Sequence, residues 1–364
     1  SNEDEKLAEF ENLKVFLNLK SLIFGRKLDA NKLNLEQGVI NLPSVFSKPL
    51  KVDEIFLEGQ LYSNNNEIEL YKFISNIDED YYEGSATIDV EQVKVSGYLE
   101  KLMRKKIFHN MDLSSEGLNF DADRLGFSIS GTALLGGVEI SLDGYKNYID
   151  KEEFISKYNL TAIVNEKDIE NSFKIKVDDF ITGPIGLKAT YLTLKNNKEI
   201  IKTSNDLTDT QLGIPALNIV KYKDINATAD VDFYYSNKKL NEVKIISYKQ
   251  GNDEMNGLVK LSKDFKPYKS LELNLNRDTK KTSIKVIKNK NINNLDLKGD
   301  YFDFSKTLKE TFFEKQNEDS FLVQLQPLAI NLKAKEILVA EEKSIYDVDA
   351  ILKYENKLFK DAKL

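Results

Sequence analysis

From about residue 84 onward, apolar and polar side chains alternate with a period of two, the spacing that puts every second residue on one face of a β-strand. Val138, Ile140 and Leu142 alternate with Glu139, Ser141 and Asp143, and Phe127 and Ile129 join the same apolar set. Phe173, Ile175 and Val177 alternate with Lys174, Lys176 and Asp178. Later, Ala227, Ala229, Val231 and Phe233 interleave with Thr228, Asp230 and Asp232. Leu271, Leu273 and Leu275 interleave with Glu272, Asn274 and Asn276, and Leu295 and Leu297 continue the pattern.

Polar clusters punctuate these runs at Ser236 to Lys239, Gly251 to Asp253, Arg277 to Lys280 and Lys288 to Asn291. A spacing of about 12 to 14 residues suits strands joined by short hairpin turns, an antiparallel meander with one apolar and one wet face. Helical signals are few. Leu7, Phe10, Leu13 and Leu17 fit a helix, although Val15 to Leu19 equally fits a strand. Asp150 before Glu153, Phe154, Ile155 and Tyr158 predicts a short capped helix, and Ser305 before Leu308, Phe312 and Phe313 predicts another. Three segments follow: a helical or strand lead-in over 1–27, a first sheet portion over 28–149, and a second over 150–364 that continues the same sheet. The last strands run almost to Leu364 without a closing element, as in a sheet truncated at its C-terminus.

Hydrophobic residues make up 41% of the 364 residues, enough for a core, and 30% are charged. A net charge of −7 gives no general attraction to nucleic acid. Cysteine is absent, so disulfides, thiolate metal sites and a cysteine nucleophile are excluded. No apolar run is long enough for a membrane-spanning helix. The opening Ser1-Asn2 reads as a cloning remnant, with any anchor outside this chain.

Candidate chemistry is thin. The single histidine, His109, follows Arg104-Lys105-Lys106-Ile107-Phe108 with no nucleophile pattern near it, so a catalytic triad is not expected. The basic run reads as a solvated strand edge or loop, or as a contact for lipid phosphate. Asp78-Glu79-Asp80, Asp121-Ala122-Asp123 and Asp178-Asp179 lack calcium-loop spacing and read as turns. Gly183-Pro184-Ile185-Gly186 reads as a sharp turn, and no phosphate-binding glycine loop exists. Neither a metal nor a cofactor is expected, and the chain is not read as an enzyme.

Several segments resemble the AsmA-like superfamily, in particular its YhdP-type periplasmic region. Gly38-Val-Ile-Asn-Leu-Pro-Ser-Val-Phe-Ser-Lys-Pro-Leu-Lys-Val-Asp-Glu-Ile is similar to the family's glycine, apolar-proline, apolar-aspartate opening. Ile214-Pro215-Ala216-Leu217, then Lys221 and Lys223, then Ala227 to Tyr235, looks like its proline-lysine-strand segment, and Gly299-Asp300-Tyr301-Phe302-Asp303-Phe304 like its step into a helix. The likeness spans roughly residues 28 to 364. It departs near Ile219, where the family carries an aromatic before the lysine, and several family glycines are missing.

The resemblance implies an elongated, strongly bent antiparallel sheet, open along one side like a taco shell, with two or three short helices. It further implies a bridge-like lipid transfer protein anchored in the inner membrane by a segment outside this chain, working in the periplasm and guiding phospholipid toward the outer membrane. Other envelope proteins would be its partners. The lining would be the apolar set above: Phe127, Ile129, Val138, Ile140, Leu142, Phe173, Ile175, Val177, Ala229, Val231, Phe233, Leu271, Leu273, Leu275, Leu295 and Leu297. The competing reading is a structural or adhesin-like β-sandwich module of the cell envelope whose apolar face is filled by its own side chains.

Overall fold

The computed structural model describes residues 8–17, 30–40, 50–60, 67–108, 111–149, 153–173, 176–178, 180–196, 198–214, 219–261, 268–289, 292–305, 327–340, 342–355 and 358–363. It is mainly β, as the alternation predicts. Contacts divide it into two compact units: Ser1–Ile163 with Asp168–Ile175 and Leu192–Lys195, and Val164–Lys167 with Lys176–Tyr191 and Asn196–Leu364.

The first unit is a ladder of antiparallel neighbours. It begins with β1 (Ala8–Leu17), β2 (Ala30–Ile40), β3 (Leu50–Gln60), β4 (Glu67–Ile77) and β5 (Asp80–Asp89). The long β6 (Lys94–Phe108) then pairs with both β7 (Met111–Ser115) and β8 (Leu118–Ala122). Next come β9 (Gly126–Leu135), β10 (Val138–Asn147) and β11 (Phe154–Val164). The lead-in is thus strand where it is described.

The second unit runs through β14 (Lys198–Asp206), β17 (Ala227–Ser236), β18 (Lys239–Gln250), β19 (Asp253–Leu261), β20 (Tyr268–Arg277) and β21 (Lys280–Ile287). It continues through β22 (Asn293–Asp303), β23 (Leu328–Ala340), β24 (Lys343–Glu355) and β25 (Leu358–Lys363). One pair departs from the expected meander, since β22 and β23 run parallel. A small sheet is made of β12 (Ile181–Thr182), β15 (Gln211–Ile214) and β16 (Ile219–Lys221); every other strand, including β13 (Ile185–Leu194), belongs to one large sheet.

Tight turns join the hairpins. Asp78-Glu79, Gly136-Gly137, Asn237-Lys238 and Asp278-Thr279 each carry positive φ at both turn residues, the twist that matches flanking antiparallel strands. Acidic residues act as turn caps: Asp123 Oδ1 accepts from the N–H groups of Leu125 and Gly126.

Two sequence expectations fail locally. The segment after Asp150 is strand β11, not a helix, because Ser156, Tyr158, Leu160 and Ala162 pair with β10 and the chain there is rich in β-branched residues. Neither Phe173 nor Val177 lies in a strand. Phe173 closes α1 (Glu166–Phe173), Val177 lies in irregular chain, and Ile175 lies outside the described residues. The helix wins because Asn165 caps it, its Oδ1 accepting from Lys167 N–H at 2.9 Å, ahead of charged helix formers. Among the described residues α1 is the one complete helix; Ser305, where the other helix is expected to begin, is itself helical, and the rest of that segment lies outside them. His109, Leu308, Phe312 and Phe313 lie outside them.

Candidate functional site: apolar rows across the strands

Register turns alternating strands into rows that run perpendicular to them. In the first unit Val15, Leu33, Leu57, Phe73, Gly84, Leu99, Leu118, Gly131, Leu142 and Leu160 follow one another as direct cross-strand partners from β1 to β11. No polar side chain interrupts the row.

The second unit repeats the device. Ile201, Phe233, Val243, Val259, Leu271, Val286, Leu295, Ile330 and Leu352 form one row from β14 to β24. Beside it lie Val231, Ile245, Gly257, Leu273, Ile284, Leu297, Leu332 and Ala350. The opposite face is charged, with ion pairs such as Lys285 to Glu272 at 3.6 Å and Lys333 to Asp349 at 3.0 Å. A wet outer face and a dry inner face follow from the pleat.

Burial along the rows is uneven. Leu118 and Val286 are completely buried, each inside a cluster drawn entirely from strands of the large sheet and, at its margin, Phe304 just beyond β22. Toward β14 and β17 to β20 the second unit's first row is only half-buried, through Ile201, Phe233, Val243, Val259 and Leu271. At the start of the first unit, Leu13, Val15 and Leu17 are exposed on that same face. Tyr235, further along the apolar face of β17, is buried, and burial pushes its hydroxyl up to about 12.

The predicted lining residues sort accordingly. Ile129, Ile140 and Leu142 are in the first unit's cluster, with Phe127 and Val138 packed against it. Leu295 and Leu297 are in the second unit's cluster, and Leu273 and Leu275 form a smaller one that Leu271 adjoins. Ala229, Val231 and Phe233 are half-buried on β17. Leu99 and Leu118, and also Val243 and Val259, belong to the rows although simple alternation does not single them out. On β18 the reason is visible: Ile246 is extra to the pairing with β17, so apolar residues change parity between Ile245 and Tyr248. A larger break occurs where Asp300, Lys335 and Asp347 drop out of the pairing of three adjacent strands, with Asp347 at φ 52°. Past this break Phe302 and Ile337, which unbroken alternation would turn outward, rejoin the buried cluster.

The small sheet lies beside one end of the second unit's apolar face, where Val220 borders a cavity of about 80 Å³ with Tyr248, Met255 and Leu275. It is clasped by Lys221, whose fully buried Nζ donates to the carbonyls of Thr208, Thr210 and Tyr222 at 2.9, 2.6 and 3.1 Å. Among the described residues no cluster of three or more acidic, histidine or cysteine side chains is placed to hold a metal, and no helix is long and apolar enough to cross a membrane. No family model, curated protein or solved structure matches this chain.

Proposed function

We propose that the chain is a noncatalytic lipid-binding scaffold whose apolar rows carry acyl chains. One observation carries the reading: the rows run across the strands rather than along them, so the dry face is continuous in the direction in which the sheet grows. A chain lying on such a strip meets similar side chains at each step, which keeps barriers to sliding low. Each methylene covered is worth about 0.8 kcal/mol, so partial coverage of a lipid tail suffices for binding.

The half-buried members, Phe233, Val243, Val259 and Leu271, are the natural seats for a lipid tail. The bent, open groove of an AsmA-like bridge, set in the periplasm between inner and outer membranes, is the architecture this reading invokes. In its favour, the rings of Phe73 on β4 and Phe120 on β8 meet edge to face with centroids 6.2 Å apart although β5 and β6 intervene. Flat strands would hold their backbones about 14 Å apart. The competing reading, a self-filled envelope module, draws on the complete burial of Leu118 and Val286 among the side chains of their own clusters.

Mass spectrometry of solvent extracts from mildly purified protein separates the two: copurified phospholipid is expected, and a clean extract combined with no uptake from phospholipid vesicles overturns the scaffold. Val231→Asp with Phe233→Asp should abolish lipid uptake while the β-sheet circular dichroism persists. Global unfolding of that variant favours the filled core.

A further inference from the structure

Arg104 is a charged side chain on the apolar face of the first unit, as Lys146 opposite Phe127 is further along. Arg104 follows Leu102 by one full pleat on β6, so it points to the side where Leu102 is buried, and it lies directly opposite Leu113, a member of the same cluster. Across the other neighbouring strand sits Asp80, whose carboxylate accepts from Arg104 Nε at 3.0 Å and from the Lys105 N–H at 2.9 Å. Tyr82, one pleat along from Asp80, packs against the cluster, as does Tyr158. Tyr158 is held low over Gly144, where an added Cβ would meet its ring at 2.3 Å.

The guanidinium is therefore aimed but not saturated. It carries five N–H donors in a fixed fork, and the bond to Asp80 uses the one on Nε. The terminal nitrogens donate to nothing among the described residues, and the side chain is 43% exposed while Asp80 is 15% exposed. An arginine fixed by a carboxylate at the rim of an apolar face suits a ligand that is anionic at one end and apolar for the rest of its length.

Building on the lipid-binding reading, we propose that Arg104 is a headgroup-binding residue that takes the phosphate of a phospholipid, while the acyl chains lie against the half-buried Phe73, Tyr158 and Leu160. Two terminal N–H groups match two phosphate oxygens side by side, and Asp80 fixes the fork's orientation in advance. The Arg104-Lys105-Lys106 run then has one member on the dry side. Lys105 pairs with Asp112 at 3.1 Å.

The test titrates the full chain with dioctanoylphosphatidylglycerol, dioctanoylglycerol and inorganic phosphate, following displacement of the apolar dye N-phenyl-1-naphthylamine. The phosphatidyl lipid should displace the dye at lower concentration than the diacylglycerol. Arg104→Gln should weaken the phosphatidyl lipid about tenfold and leave the diacylglycerol unchanged. Arg104→Lys, which keeps the charge, should recover part of the loss and guards against a folding defect in the first variant. Unchanged preference in Arg104→Gln overturns the headgroup role and leaves the scaffold standing. Inorganic phosphate that competes as well as the lipid overturns it in favour of a free anion, and failure of both lipids to displace the dye from the wild type overturns the scaffold with it.

Discussion

Gly131 stands directly opposite Leu118 in the β8–β9 pair, at φ +142°, with room for no more than a hydrogen: an added Cβ would come within 2.7 Å of the Gly117 carbonyl oxygen and 3.0 Å of Leu118 Cδ2. The most buried leucine of the first row is seated by the one residue type that leaves it space. Gly131→Ala adds both a backbone penalty and a clash, so it should cost about 2 kcal/mol, read as a lower urea midpoint with an unchanged slope.

Position along a row should decide how much a side chain matters. Leu118 is fully buried and Leu13, on the same face, is 62% exposed. Leu118→Ala leaves a cavity and should lose about 3 kcal/mol. Leu13→Ala should change stability by less than about 0.5 kcal/mol. Equal losses in paired denaturation curves would contradict the graded burial of the face.

Acid should act on the three-strand break in the second unit. The ion pair with Lys335 at 2.8 Å, followed by the Lys281 N–H at 2.8 Å, holds the Asp300 carboxyl below its usual range. A carboxylate depressed in the folded chain contributes stability above its unfolded value of about 4, and that contribution is lost as pH falls through the folded value. Asp300→Asn should therefore lower the urea midpoint at neutral pH and reduce its fall on acidification. A wild-type and variant pair with parallel pH profiles would refute this.

Lys221 should be indispensable to the small sheet and of little account elsewhere. Removing a buried ammonium strands the three carbonyls it bonds, at about 3 kcal/mol. Lys221→Ala should speed hydrogen exchange in β15 and β16 while β20 to β23 keep their protection.

Much of the dry face could be read by counting in twos. Ile140 with Leu142, Leu271 with Leu273 and Leu275, and Leu295 with Leu297 all sit where simple alternation puts them, because those strands are free of bulges at these positions. What alternation could not supply was register. The turns at Asn237-Lys238 and Asp278-Thr279 sit inside polar clusters that mark them in the sequence, but such clusters locate a hairpin without fixing its register. The adjacent pair Ile245 and Ile246 conceals a bulge, and Asp300, Lys335 and Asp347 reset parity across three strands at once. At Phe173 a period-two pattern met a well-capped run of helix formers, and local capping prevailed. Arg104 looked like part of a solvated basic run because its orientation depends on pairing with Asp80 and Leu113, residues distant in sequence or separated by a turn.

Because nearly every strand pairs with those closest to it in the chain, length within either ladder is quantised. Excising one hairpin, such as β20 with β21, would remove an up-and-down couple and return the next strand with its polarity and inward side unchanged. Excising a lone strand would reverse the direction of all that follow. A body of this kind can be lengthened or shortened by duplication in steps of two, with perturbations felt mainly by the flanking strands.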